Sequence, residues 1–253
     1  MNILVTGGCG YIGTALIDAL LESCSEADEI HVLDNLSRKN YNFFLNGDLN
    51  GRQNVHFHQG DLLDSRLISK LVDEADIVYH LAARVSTPFA NQDPHFFFFF
   101  YHWGTAELVY AIERSQKATR LIYISSISVY GQSEQMFDEE SKANPQTYYG
   151  ISKRRGEEHV ERLMKKSDAR IVRLGNVYGL SRSMRFDAVI NTFLFEAHYK
   201  GRVTIHGNGM QERPFLHISR AAQTLCKMKD QNVPAGVYNL VDFNMSVNEI
   251  TDH

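Results

Sequence analysis

The sequence is poor in the residues that mark special architectures. Its three cysteines, Cys9, Cys24 and Cys226, are odd in number and scattered through 253 residues. They offer no disulfide framework and suit a reducing compartment. Five prolines are too few for a collagenous or linker-like chain. Positive charge is not in excess, since 26 Lys+Arg against 30 Asp+Glu leave a formal charge of −4. The basic residues form no block or stripe, so nucleic acid is not expected as a partner. There is no run of about 18 apolar residues and no basic, cleavable leader, so neither a membrane span nor an export signal is expected and the cytoplasm is the default location. Internal repeats at solenoid periods are absent as well.

What is present is the composition of an ordinary globular protein, 43% hydrophobic and 22% charged, with a length suited to one large domain or two unequal lobes. Short β-branched runs at Ile3–Thr6, Ile30–Asp34, Val55–Gln59, Ile77–Leu81, Arg120–Ser125 and Arg170–Leu174 alternate with helix-like segments. Those segments are Tyr11–Ser23, Ser65–Val72, Phe96–Glu113 and Tyr149–Met164. Strand and helix in turn predict a doubly wound α/β fold with a parallel sheet covered on both faces, because right-handed crossovers put the helices there. Beyond Gly175 the pattern loosens. A helix near Ala188–Tyr199, a strand at Val203–Ile205, a loop with Gly207 and Gly209, a helix near Arg220–Lys229 and a strand at Val237–Val241 are expected. The division predicted is a dinucleotide-binding domain over 1–174 and a smaller substrate lobe over 175–253.

The first strand runs into Thr6-Gly7-Gly8-Cys9-Gly10-Tyr11-Ile12-Gly13 and then directly into a helix. Gly7 permits the tight turn, Gly10 lets backbone approach a pyrophosphate, and Gly13 lets helix and strand pack closely, with the phosphates meeting free amides at the helix start. Tyr11 and Ile12 lie within that loop. Asp34 closes the second strand about 20 residues further on, placed to accept from ribose hydroxyls, with Asn35 beside it. Its charge would repel a 2′-phosphate, so NAD is favoured over NADP, although Arg38 and Lys39 are near.

A second constellation begins where Leu121-Ile122-Tyr123-Ile124 ends in Ser125-Ser126, followed later by Tyr149-Gly150-Ile151-Ser152-Lys153. A strand end faces the cofactor crevice in such a sheet. Tyr149 and Lys153 share a helix face, and a cation beside a phenol favours the phenolate, so Tyr149 can take and return a proton. Ser126 would hydrogen-bond the same substrate oxygen. The histidines His56 and His58 alternate on one strand face without Cys, Asp or Glu at ligand spacing, so no metal is expected. Cys9 is expected to pack.

With these motifs in hand, the chain resembles an extended short-chain dehydrogenase/reductase of the NAD-dependent epimerase/dehydratase type, most like the UDP-glucose 4-epimerase-like nucleotide-sugar epimerases. Gly60-Asp61-Leu62, His80-Leu-Ala-Ala83, Arg173-Leu-Gly-Asn-Val-Tyr-Gly179 and Gly207-Asn-Gly-Met-Gln-Glu-Arg213 carry the likeness along with the two constellations. The resemblance implies a Rossmann-like fold with Asp61 and Leu62 by the adenine and Ala82 and Ala83 lining the dinucleotide. It implies Ser126, Tyr149 and Lys153 as catalytic residues, the last two also touching the cofactor, and Asn176 and Arg213 at the substrate's nucleotide diphosphate. It further implies a homodimer formed by the Phe96–Glu113 and Tyr149–Met164 helices.

Within that family, dehydratases acting at C4 and C6 carry an Asp-Glu pair after the serine position, and decarboxylases a Glu. This chain has Ile127 and Ser128. The expectation is therefore a C4 epimerase that removes and returns one hydride and retains its NAD. Two other readings stay open: a reductase using external NAD(P)H on a carbonyl substrate, and an inactive dinucleotide-binding regulator. Several positions depart from the family. Six aromatics run from Phe96 to Tyr101 where a polar helix and an Asn are usual, Arg220 replaces an Asp, and Leu180 replaces a Pro. Relatives continue past the position of His253, so the smaller lobe is expected to be incomplete.

Overall fold

The computed structural model describes residues 1–45, 54–83, 102–132, 136–205, 207–230 and 232–252; the aromatic run at 96–101 lies outside them. The chain opens with β1 (Asn2–Thr6), α1 (Tyr11–Ser23), β2 (Glu29–Asp34) and β3 (Val55–Gln59). It continues through α2 (Ser65–Glu74), β4 (Ile77–His80), α3 (Gly104–Arg114) and β5 (Arg120–Ser126), whose end winds into a tight turn at Ile127–Tyr130. Next come α4 (Tyr148–Met164), β6 (Ala169–Leu174), the short β7 (Asn176–Tyr178) and α5 (Val189–Lys200). The last elements are β8 (Glu212–His217), α6 (Ile218–Lys227), β9 (Gly236–Leu240), β10 (Phe243–Ser246) and α7 (Val247–Thr251).

Seven strands form one parallel sheet in the order β3-β2-β1-β4-β5-β6-β9. The alternation of side chains across it explains the two covered faces. Ile3, Val5, Ile30 and Val32 point to one side and meet Leu16, Ile17 and Leu20 of α1 and Ala221 and Leu225 of α6. Leu4, Leu33 and Val78 point to the other and meet α2, α3 and α4 through Ile68, Leu108, Ile112, Val160 and Leu163. The fold is Rossmann-like, and its strand order reverses between β1 and β4. That switch point opens a crevice at the carboxyl ends of the strands. Helix starts are fixed locally: Asp64 caps α2 by accepting from the Arg66 and Leu67 amides, and Thr147 caps α4 by accepting from Gly150.

The later elements differ from the sequence reading. Val203–Ile205 is not a strand: the Thr204 amide donates to Glu196 of α5 at 3.1 Å instead of joining a ladder, and β propensity without a partner strand is not enough. A second sheet, β10-β8-β7, forms instead, with β8 antiparallel to β10 and parallel to β7. Its strands were hidden by Pro214 within β8 and by the three-residue length of β7. The chain then returns to the first sheet, where β9 pairs with β6. Arg220 of α6 forms an ion pair with Asp242 at 2.8 Å; Leu180 is exposed, and nothing in the structure explains its presence. Among the described residues no helix is long and apolar enough to cross a membrane.

Candidate active site

The glycine loop is shaped by close approach. Gly7 adopts a positive φ of 71°, and a Cβ there would lie 2.5 Å from the Ala82 Cα. A Cβ at Gly13 would lie 2.5 Å from the Gly7 carbonyl oxygen, so both positions require glycine. Gly10 caps α1 with no side-chain bond to the first turn, and that turn has no acidic residue. The leading amides and the positive end of the helix dipole are thereby left for an anion. At the end of β2 the Asp34 carboxylate accepts from the Cys9 amide at 3.1 Å and the Leu36 amide at 2.8 Å. Burial raises its pKa and those two amides oppose the rise. Asn35 donates to Asp61 at 2.9 Å, tying β2 to the turn after β3.

The end of β5 faces the same crevice, and α4 brings Tyr149 and Lys153 to it. Ser126 hydrogen-bonds Tyr149 and accepts from the Ser128 amide at 3.2 Å. Lys153 is 3% exposed; its ammonium donates to the Ile124 carbonyl at 2.7 Å and stands 5.1 Å from the Tyr123 ring centroid. Burial pulls its pKa down to about 7, with Glu157 pulling the other way. Tyr149 is acted on by a residue from outside the two motifs. Burial raises its pKa, and the groups opposing the rise are Arg185 and the Ser126 hydrogen bond. A cation from a distant loop thus acts on the phenol from outside its own helix.

All the candidate catalytic, cofactor-binding and substrate-binding residues line one cleft of about 560 Å³. Gly7, Gly10, Tyr11, Ile12, Gly13, Asp34 and Asn35 form one end with Asp61 and Leu62. Ala82 and Ala83 line the middle, and Ser126, Tyr149, Lys153, Asn176 and Arg213 the rest. Asn176 donates to the Pro214 carbonyl at 3.1 Å, which joins β7 to β8 and sets Arg213 on the same rim. Arg185 and Asp187 also line the cleft and pair with each other at 3.1 Å. The sequence reading passed over both, because they lie in an irregular segment with no motif spacing. Cys9 is buried and its thiol pKa is pushed up, chiefly by burial. His58 bonds His31 and His56 bonds Glu29, at 3.0 and 2.6 Å.

A parallel sheet with a glycine cradle and a carboxylate at its switch point is the mark of a dinucleotide-binding protein. The chain belongs to the NAD dependent epimerase/dehydratase family, whose profile matches residues 3–240. It is 31% identical to the dTDP-D-glucose 4,6-dehydratase of Mus musculus, over 97% of this chain and 70% of that protein. With UDP-glucuronic acid decarboxylase 1 of Xenopus tropicalis it shares 27% identity over 93% of this chain and 55% of the relative. Its structure superimposes on UDP-glucuronic acid 4-epimerase from Bacillus cereus, solved with UDP-glucuronic acid and NAD, with a TM-score of 0.87 and 27% identity. That match covers 98% of this chain and 80% of the other. The family comprises NAD-dependent nucleotide-sugar epimerases, dehydratases and decarboxylases, and NAD is the cofactor. The tight glycine cradle and the uncapped start of α1 fit its pyrophosphate.

Proposed function

We propose that the chain is a nucleotide-sugar epimerase acting at C4 of the sugar. One observation carries this choice within the family. Among the described residues the carboxylates lining the cleft are Asp34, Asp61 and Asp187. The first two belong to the glycine-loop end, and Asp187 is paired with Arg185. Ile127 and Ser128 follow Ser126 along the cleft wall, so no carboxylate stands there to drive elimination or decarboxylation. The likeness to the Mus musculus dehydratase favours a second reading, a 4,6-dehydratase, but the acid–base pair that such chemistry needs is absent at that position.

In this reading the glycine loop, Asp34, Asn35, Asp61, Leu62, Ala82 and Ala83 bind the dinucleotide, and residues 1–174 form its domain. Asn176 and Arg213, within 175–253, bind the diphosphate of the substrate. Ser126 orients the C4 oxygen, and Tyr149 takes its proton and later returns it. Lys153 holds the nicotinamide ribose. NAD, when bound, accepts a hydride from the sugar carbon and gives it back. The three free cysteines suit a reducing cytoplasm. Helices α3 and α4, which pack together and leave Trp103 and Tyr110 exposed, are proposed as the homodimer seam.

The test is product analysis by NMR after incubation with UDP-glucose, UDP-glucuronic acid and dTDP-glucose. A C4 epimer from any of them supports the reading. A 4-keto-6-deoxy sugar or a released pentose nucleotide would overturn it in favour of dehydration or decarboxylation.

A further inference from the structure

Residues 179–191 run from the second sheet back over the glycine loop, and their contacts there form one connected set. Asn191 is 2% exposed and its whole amide is engaged. Its Oδ1 accepts from the Gly179 amide at 2.9 Å, and its Nδ2 donates to the Tyr11 hydroxyl at 3.2 Å and the Arg185 carbonyl at 2.9 Å. The Tyr11 hydroxyl donates to the Gly179 carbonyl at 2.6 Å. Ser181 Oγ donates to the Tyr11 carbonyl at 2.8 Å and shares a bond with Thr14 Oγ1 at 2.9 Å. Ser183 Oγ donates to the Cys9 carbonyl at 2.6 Å.

A buried polar set in which every member is satisfied fixes a single geometry, because any slip leaves a donor or acceptor unpaired away from water. What this set holds is the backbone of Arg185, which lines the same cleft as Tyr149 and pairs there with Asp187. Tyr149 is faced by Ser126 and Tyr123 from β5, by Lys153 from its own helix, and by Arg185 with Asp187 from this segment, while Arg213 of β8 lines the same cleft. Of the cations among these, Arg185 is the one whose place depends on the fastening.

We propose that Asn191 and Tyr11 are positioning residues that fasten residues 179–191 to the glycine loop and so hold the Arg185 charge at the Tyr149 end of the cleft. The proposal rests on Tyr149 as the proton-transfer group. Arg185 then does for the phenol what a neighbouring cation does in general, favouring the ionised form against the push of burial. Tyr11 thereby serves two purposes, its backbone in the loop and its hydroxyl in the clasp.

The NAD-loaded protein and its variants Asn191→Ala, Tyr11→Phe, Arg185→Gln and the Arg185→Gln/Asn191→Ala pair test this with two readouts. One is a tyrosinate absorbance titration with Tyr149→Phe as blank. The other is the pH profile of single-turnover NAD reduction by the nucleotide sugar that turns over in the product assay. Each single variant should move the Tyr149 titration and the acid limb of the profile to higher pH by about half a pH unit or more, roughly threefold in rate on that limb. The pair should move no further than Arg185→Gln alone. An unshifted titration in folded Asn191→Ala and Tyr11→Phe overturns the proposal, as does an additional shift in the pair. If Asn191→Ala does not fold, Ser183→Ala takes its place with the same expected direction and the same overturning result. Failure of the Tyr149 reading is distinguishable, since Tyr149→Phe would then reduce NAD at the wild-type rate.

Discussion

Tyr149 is half-buried at the start of α4, with its hydroxyl bonded to Ser126 and its pKa raised by burial. Tyr149→Phe keeps the ring and removes the ionisable oxygen, so NAD binding should persist while the chemical step slows by about 100- to 10,000-fold. Stopped-flow reduction of bound NAD measures this, and a wild-type rate would refute the role. The residues of this site were legible wherever they fall in short local motifs. The glycines, Asp34 and the Tyr149–Lys153 turn declare themselves by spacing along one loop or one helix face. Arg185, Asp187 and Asn191 did not, because their place depends on hydrogen bonds to residues 168 to 180 positions away. No local pattern encodes such a contact.

Elements tell the same story on a larger scale. The core strands and the helices that cover them were readable because apolar periodicity is strong where both faces are buried. The second sheet was not readable, because its strands are short, half-exposed and interrupted by Pro214. Between the core elements lies a charge pair that periodicity did not announce. Glu157 of α4 is fully buried and accepts from Arg173 Nε at 2.9 Å, Arg173 Nη2 at 2.8 Å and Ser125 Oγ at 2.6 Å. The Arg173 Nη1 donates to the Tyr130 hydroxyl at 2.8 Å. Replacing Glu157 alone by Met strands a buried cation and should cost about 3–5 kcal/mol, whereas the Glu157→Met/Arg173→Met pair should recover much of that loss. Urea unfolding of the single and paired variants distinguishes these; a loss in the pair equal to the sum of the two single losses would show that the charges act independently.

For the whole molecule, acid sensitivity should concentrate at His80. It is 2% exposed, shares bonds with Thr6 at 2.7 Å and Thr105 at 3.0 Å, and its pKa is lowered to about 3, mainly by burial. Between that value and the usual 6.5 of a histidine, the unfolded chain binds a proton that the folded one refuses. Stability is therefore complete above pH 6.5 and falls below it, by up to about 1.4 kcal/mol per pH unit. Denaturation from pH 7 to 4 should show a steeper loss in wild type than in His80→Asn; equal slopes would remove His80 as the cause. Assembly is tested at the same scale, since sedimentation at micromolar concentration should give twice the protomer mass, and a clean monomer would reject the α3–α4 seam.

The return of β9 to the edge of the first sheet decides how the second sheet is attached to it. After β7 the chain passes through α5 and β8, sends α6 against α1, places β9 beside β6, and leaves again for β10. The two sheets are laced together by several passages of one chain, not joined end to end by a single tether. A protease cut at the Gly207–Gly209 turn would consequently yield a nicked protein whose pieces stay locked in one body. Any closing motion over a bound sugar must likewise be a small flexing shared among all those passages rather than the swing of a free flap.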